Sequence, residues 1–293
     1  MDQVVSVKKN NQTLVSYEYN AVGALTKTIR GNGLFTRALY DTGNRLQSFG
    51  NYTASDQLIS QQSFTYDGNG NISRIQTGKG AVSYTYDERD QLTKEVLTDG
   101  TEVTYDYDKV GNRIQKSVTK GTQTNTTNYS YNEGNHLESV DEQTYSYDFN
   151  GNLVNDGQHK YIYDVFDQLI EVKQAEEQFL FKASYDEQGR RIQTQTADGI
   201  TNYFYDGDHV LYETDGNNNF TVEYTWDNAG NPVAMTVDGQ TYYYHLNGHG
   251  DVVSMTDHNG LVVASYEYDA WGNILAKDGV LADKNPYRYA GYR

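Results

Sequence analysis

Aspartate, histidine and tyrosine are the residues of this chain whose types and spacing invite chemistry. Carboxylates recur along the sequence, Asp67, Asp108, Asp148 and Asp269 among them, and recurring carboxylates can bind calcium. Calcium-binding repeats use a much denser Gly/Asp spacing, so one Asp followed closely by Gly reads as a turn cap. His245 and His249 lie four apart, with Asp251 and His258 nearby. That set suggests a metal, but in a turn-rich segment a four-residue spacing does not align two imidazoles as a helix would. Cysteine is absent, which removes thiolate metal sites and disulfide frameworks. Six scattered His give no triad pattern, and no phosphate loop, activated Ser or acid pair stands out. No catalytic residue, metal or cofactor is therefore assigned. The Tyr rows can be read as sugar-stacking platforms or as rings packed across strands, and the composition favours packing.

Those residues must be positioned by something periodic. Of 293 residues, 28 are Tyr and 27 Gly, with only 2 Pro and 2 Trp, so Tyr is about one residue in ten. The unit is Tyr-x-Tyr-Asp-x-x-Gly-Asn-Leu. Its second aromatic falls at Tyr19, Tyr40, Tyr66, Tyr86, Tyr107, Tyr131, Tyr147, Tyr163, Tyr185, Tyr205, Trp226, Tyr244 and Tyr268. Thirteen units thus follow one another at about 21 residues each, a repeat architecture.

Rings at i and i+2 share one face of a strand. Asp then starts a turn through its side chain, and Gly takes the positive φ of a type I turn with a bulge. Gly70, Gly111, Gly151 and Gly272 hold that position after Asp67, Asp108, Asp148 and Asp269. Asp90 and Asp167 replace it after Asp87 and Asp164, and must either accept a left-handed backbone or change the loop. Leu, Ile or Val begins the return. A second turn halfway round reads Asp99-Gly100, Asp156-Gly157, Asp198-Gly199, Asp215-Gly216, Asp238-Gly239, Asn259-Gly260 and Asp278-Gly279, strong hairpin signals. The expected fold is all-β. About 26 antiparallel strands of roughly 5–8 residues form one hairpin meander, curled into a solenoid-like strip, an open shell or a closed barrel. Residues 118–128 read as a long hairpin rather than a boundary.

At these residues the chain resembles the Rhs/YD-repeat family of bacterial polymorphic toxins, Gram-positive wall-associated proteins, insecticidal toxin complexes and animal teneurins. The stretches Tyr242–Asp257, Tyr266–Ile274 and Asn285–Arg293 are similar to the family's closing motifs. The resemblance divides the chain into a repeat strip over 1–284 and the start of the core-associated region over 285–293, carried by Asn285, Pro286, Tyr287, Arg288, Tyr289 and Gly291. It implies a hollow β shell around a C-terminal polypeptide, usually a toxin, in a secreted or surface-displayed bacterial protein. The cargo lies outside this chain, and no residue matches the family's catalytic aspartates, so the segment is expected to be a non-enzymatic scaffold. The structural roles fall to Tyr66, Tyr86, Tyr107, Tyr147, Tyr163 and Tyr268 with Asp67, Asp87, Asp108, Asp148, Asp164 and Asp269 after them, and to Gly70, Gly111, Gly151 and Gly272 in the four units that keep the glycine.

The remaining signals concern partners. A formal charge of −17 repels phosphate backbones and argues against nucleic acid. No apolar run is long enough to span a membrane. Met1 to Lys9 has an acid at position 2 and no apolar core, so it is not a signal peptide. Val4, Val5 and Val7 look like part of a strand, as though the chain began inside a domain. The competing reading is a module that grips cell-surface glycan. Such modules depend on Trp, and only Trp226 and Trp271 occur.

Overall fold

A computed structural model describes residues 3–174 and 178–293. The described residues form 28 β-strands, from Ser6–Lys9 to Ile274–Asp278, and one short 3₁₀ turn, Tyr289–Gly291. Every strand pair resolved in register is antiparallel, and sequence neighbours are sheet neighbours, as a hairpin meander requires. The all-β meander expected from the repeat is what the chain forms.

The ladder is interrupted once. It divides into two 14-stranded sheets between Gln143–Thr144 and Ser146–Tyr147. The break falls inside one outgoing strand, whose first half pairs backwards with Leu137–Val140 and whose second half pairs forwards with Leu153–Asn155. Strand lengths run from 2 to 9 residues, wider than the repeat suggests. Residues 118–128 lie within a long hairpin, paired from Gln115↔Asn128 to Lys120↔Gln123. The first strand begins at Ser6, so Val7 lies in it while Val4 and Val5 precede it; Met1 and Asp2 lie outside the described residues.

By contacts the chain forms two compact units. One comprises 1–64, 205–213 and 220–293; the other comprises 65–204 and 214–219. Of 26 buried hydrophobic side chains among the described residues, only Val103, Tyr105, Ala183 and Tyr203 belong to the second unit. The first unit has a true apolar core. There Leu14, Val15 and Tyr17 pack on Val233, Ala234 and Tyr243. Val15 and Tyr17 share a face with Tyr19, whereas Ala234 and Tyr243 lie on the opposite face from Tyr224 and Tyr244. The tyrosine face of the early strands therefore rests on the back of the late ones. Gly31 permits the approach, because a Cβ there would sit 2.8 Å from the Thr13 carbonyl and 2.7 Å from the Tyr243 hydroxyl.

Most of the units turn by the same chemistry; the Tyr205 unit instead closes through a tight turn at Gly207-Asp208. The Asp67 N–H donates to the Asn71 carbonyl (2.9 Å), and the Gly70 N–H donates back to the Asp67 carbonyl (3.2 Å). The Asp67 carboxylate accepts the N–H groups of Asn69 and Asn71, both at 2.9 Å. One side chain thus satisfies two donors the turn would orphan. Gly111 repeats this with φ +98°, where a Cβ would be strained. Asp90 and Asp167 accept the left-handed backbone at φ 61° and 60°, and the turn type is unchanged.

The second turns are not all tight hairpins. Asp238-Gly239 is one, with φ 51° and 74° between paired Val237 and Gln240. Asp99-Gly100, Asp215-Gly216 and Asn259-Gly260 instead lie inside five-residue turns closed by bonds such as Leu97 N–H to Thr101 C=O. Asp278-Gly279 closes no hairpin, because the chain leaves the sheet there and the Leu281 N–H donates to Val263.

At the bulge before the turn that follows the second aromatic, the register slips by one residue, as at Asp106/Tyr107 and Thr85/Tyr86. The next ladder then stops short. Pairing of Leu92–Val96 with Glu102–Tyr107 ends at Lys94↔Thr104, leaving the Leu92 carbonyl without a strand partner. The Tyr107 hydroxyl donates to it at 2.7 Å. Tyr19, Tyr40, Tyr86, Tyr131, Tyr147, Tyr185 and Tyr268 do the same for Val4, Leu25, Ile72, Arg113, Leu137, Leu169 and Val252. Trp226 substitutes its indole N–H, 2.8 Å from the Val210 carbonyl. Each ring fills the gap between diverging strands, and its polar tip ties one unit to the one before.

Two outcomes follow from this bonding. Tyr86→Phe keeps the ring but orphans the Ile72 carbonyl, and should lower stability by about 1–2 kcal/mol in urea unfolding. Stability should also fall at both pH extremes. Asp148 and Asp215 are held below the ordinary 3.8, first by the side-chain amides of Asn152 and Asn219. Their contribution is present above that value and lost as pH drops through the lower folded one. Burial raises the phenols of Tyr86 and Tyr185 above 10.0, and burial plus Asp156 pushes Tyr161 up to about 12. Their contribution is complete below pH about 10 and lost as pH rises through the folded value. Thermal midpoints against pH should show a plateau bounded by both, with tyrosinate absorbance appearing together with unfolding.

Candidate functional site: the tyrosine face and the closing segment

The second unit presents its tyrosines half-buried: Tyr84, Tyr129, Tyr145, Tyr161 and Tyr185 lie on one face without an apolar layer sealing them. Arginines are intercalated among the rings, Arg113 against Tyr105 and Tyr129 (5.7 and 4.7 Å) and Arg191 between Phe181 and Tyr203. Tyr105 and Tyr203 are the buried exceptions, and the Tyr105 hydroxyl lies 2.6 Å from the buried Glu95 carboxylate.

In the first unit the same face is occupied by the chain's own closing segment. Asn285, fully buried, is its anchor. Its carbonyl oxygen accepts the Tyr244 hydroxyl (2.9 Å) and the Tyr287 N–H (3.1 Å). Its amide donates to the Tyr266 hydroxyl (3.1 Å) and the Tyr287 carbonyl (2.6 Å). The Tyr266 hydroxyl donates in turn to the Ala282 carbonyl, 2.9 Å. Tyr287 stands edge-on to Tyr224 and Trp226, centroids 4.9 and 4.8 Å away, and burial pushes its phenol up to about 12. Arg288 accepts the Val252 N–H through its carbonyl (2.9 Å) and holds its guanidinium over Tyr266.

Residues 288–292 then repeat the turn of the units. The Arg288 N–H donates to Tyr292 (3.0 Å) and the Gly291 N–H to Arg288 (3.2 Å), with Gly291 at φ 69°. Asp251 accepts the Ala290 N–H at 2.8 Å, and Tyr289 packs on Tyr268 and His249. Arg293 ends on Glu213 (2.5 Å), which also accepts the Tyr224 hydroxyl. Pro286 continues the chain between the buried Asn285 and Tyr287.

The other residues singled out from sequence sit in the turns. Asp67, Asp87, Asp108, Asp148, Asp164 and Asp269 each cap one through the N–H groups two and four residues on. Tyr66, Tyr86, Tyr107, Tyr147, Tyr163 and Tyr268 precede them, half-buried. In the divergent copy the turn begins at Asn247, so register puts Leu246, not Tyr244, at the second position; Tyr244 takes the first. The histidines do not converge. His245 is buried on Thr256 (2.8 Å), with burial holding its imidazole well below the usual range, while His249 pairs with Asp251. Among the described residues no three His, Asp or Glu side chains form a metal-ligating group.

Sequence reading missed the ties between turns. Asn69 and Asn71 donate to Asp90 (2.8 and 2.7 Å), and Asn150 and Asn152 to Asp167 (2.7 and 2.8 Å). The signal was present: Asp replaces Gly in the unit after a Gly-Asn-Gly-Asn or Asn-Gly-Asn turn. Glu213 and Trp226 as partners of the closing segment left no such signal.

A family model described as Teneurin YD-shell matches residues 14–292. The tRNA nuclease WapA of Bacillus subtilis strain 168 is 40% identical over 299 aligned residues, covering 100% of this chain and 13% of that protein. The tRNA3(Ser)-specific nuclease WapA of Bacillus spizizenii is 39% identical with the same coverage. The chain therefore spans about an eighth of the length of these relatives. Among solved structures, a chain of the Photorhabdus luminescens Tc holotoxin pore matches with a TM-score of 0.78 at 18% identity, over 96% of this chain and 16% of that one. The TcdB2-TccC3-TEV crystal structure matches with a TM-score of 0.76 at 17% identity, over 96% and 17%. Repeat, closing segment and family match fall on the same residues, and the chain belongs to the Rhs/YD-repeat family as a teneurin YD-shell domain.

Proposed function

We propose that this chain is a non-enzymatic section of shell wall in a secreted or surface-displayed bacterial protein, and that its tyrosine face holds a polypeptide cargo located C-terminal to the repeats. One observation carries the reading: in the first unit this face already binds irregular polypeptide. Residues 279–293 lie on it through phenol–carbonyl bonds, an amide network and edge-on rings, with little strand pairing. The half-buried tyrosines and intercalated arginines of the second unit offer the same chemistry to a second segment. The 40% identity to relatives named as tRNA nucleases, of which this repeat region is 13%, supports a carrier role beside an activity located elsewhere. Among the described residues no helix is long and apolar enough to cross a membrane.

Asn285→Ala removes a fully buried amide and orphans the hydroxyl of Tyr244. It should cost about 2–3 kcal/mol in urea unfolding and shift Trp226 fluorescence as Tyr287 loosens. The cargo reading is tested by photo-crosslinking in the full-length protein. A photoreactive phenylalanine analogue at Tyr145, on the tyrosine face, should capture polypeptide from beyond the repeats, whereas the same probe at Ser130, on the opposite face, should not. Equal capture from both positions, or capture of carbohydrate instead, would replace cargo holding with a surface-binding role.

A further inference from the structure

A cavity of about 370 Å³ lies within the first unit, between the tyrosine face of the early strands and the late turns. Val15, Leu25, Ala38 and Phe49 give it an apolar wall, and Arg30 and Thr36 give it a polar end. Arg30 is only 6% exposed. Its Nε donates to the Tyr244 carbonyl (2.7 Å) and its Nη1 to the Thr36 hydroxyl (2.9 Å). Both partners are neutral, and among the described residues Arg30 makes no ion pair. Burial draws its guanidinium down only to about 10, so it stays charged at neutral pH.

Buried charges are ordinarily paired, because desolvation is costly. The carboxylate that could serve here is Asp227, which also lines the cavity. It is engaged by the N–H groups of Ala229 and Asn231, the Asn231 amide and, at 3.4 Å, the Tyr17 hydroxyl. The other permanent cation on the wall is compensated: Lys27 lies 3.7 Å from Glu18. The imidazole of His249 is hydrogen-bonded to Asp251 at 2.9 Å. The excess positive charge therefore belongs to Arg30, and among the described residues its Nη2 donors have no protein acceptor.

We infer that this cavity is a binding site for a monocarboxylate with an apolar body, its carboxylate seated on the free donors of Arg30 and its body against Val15, Leu25 and Phe49. A guanidinium fork matches a carboxylate in geometry. A single cation with Asp227 nearby disfavours a phosphate dianion, and the apolar wall favours a ligand with a hydrocarbon portion over a bare anion.

The probe is 3-phenylpropionate, titrated into the 293-residue chain by calorimetry and by NMR. Saturable one-to-one binding with a raised thermal midpoint is expected. Its neutral isostere 3-phenylpropionamide should bind about tenfold more weakly or worse, since it loses a charge-assisted hydrogen bond. Arg30→Met should weaken the carboxylate by a similar factor, with circular dichroism confirming the fold. The amide comparison uses the unaltered protein and decides the matter should that variant fail to fold. Equal affinity for acid and amide, preference for inorganic phosphate, or no saturable binding of the acid would overturn the assignment.

Discussion

A hydroxyl meeting a carbonyl where two strands part is the interaction on which this structure depends. The bulge before the turn that follows the second aromatic ends the next ladder early, and a backbone carbonyl cannot be left dry without cost. A ring two residues before the turn fills the gap by area, but only a ring with a donor satisfies the carbonyl. This explains why the chain carries 28 Tyr and only 9 Phe. It explains equally why Trp226, the one unit with a different second aromatic, still donates at 2.8 Å.

The consequences differ between the two compact units. Where the tyrosine face of early strands rests on the back of late ones, a conventional core forms around Tyr17, Ala234 and Tyr243. Over residues 65–204 the face is half-buried, and cohesion rests on strand ladders, phenol bonds and the Asn–Asp ties between turns. A face built from aromatic area with polar tips suits an irregular polypeptide, whose carbonyls need donors as the strand ends do. The segment around Asn285 shows the fit: the phenols of Tyr244 and Tyr266 reach an asparagine side chain and a carbonyl rather than a strand end.

Much of this was legible in the sequence, because the information is local. Asp67 and Gly70 announce a turn within five residues, and Tyr84 with Tyr86 announces a face. For Asp90 and Asp167 the sequence left a left-handed backbone or a changed loop open, and the structure shows the former. What stayed hidden is set by distance or by register. The split of the sheet at Tyr145 arises from pairing on two sides of one strand. The role of Leu246 emerges only once Asn247 is seen to open the turn. Arg30 meets Tyr244 across 214 residues, and no spacing rule reaches that far. Rings assigned to packing by their hydrophobic area also bond through their hydroxyls, a role that the alternation of a strand does not encode.

The central claim separates cleanly from simple ring packing in Tyr107→Phe, which preserves the ring and deletes the donor. Native-state hydrogen exchange read by NMR or mass spectrometry gives the local answer. Faster exchange confined to Leu92–Val96 and Glu102–Tyr107, with distant strands unchanged, is the result this account predicts. Unaltered protection at those strand ends would contradict it and return the tyrosines to the role of apolar filling.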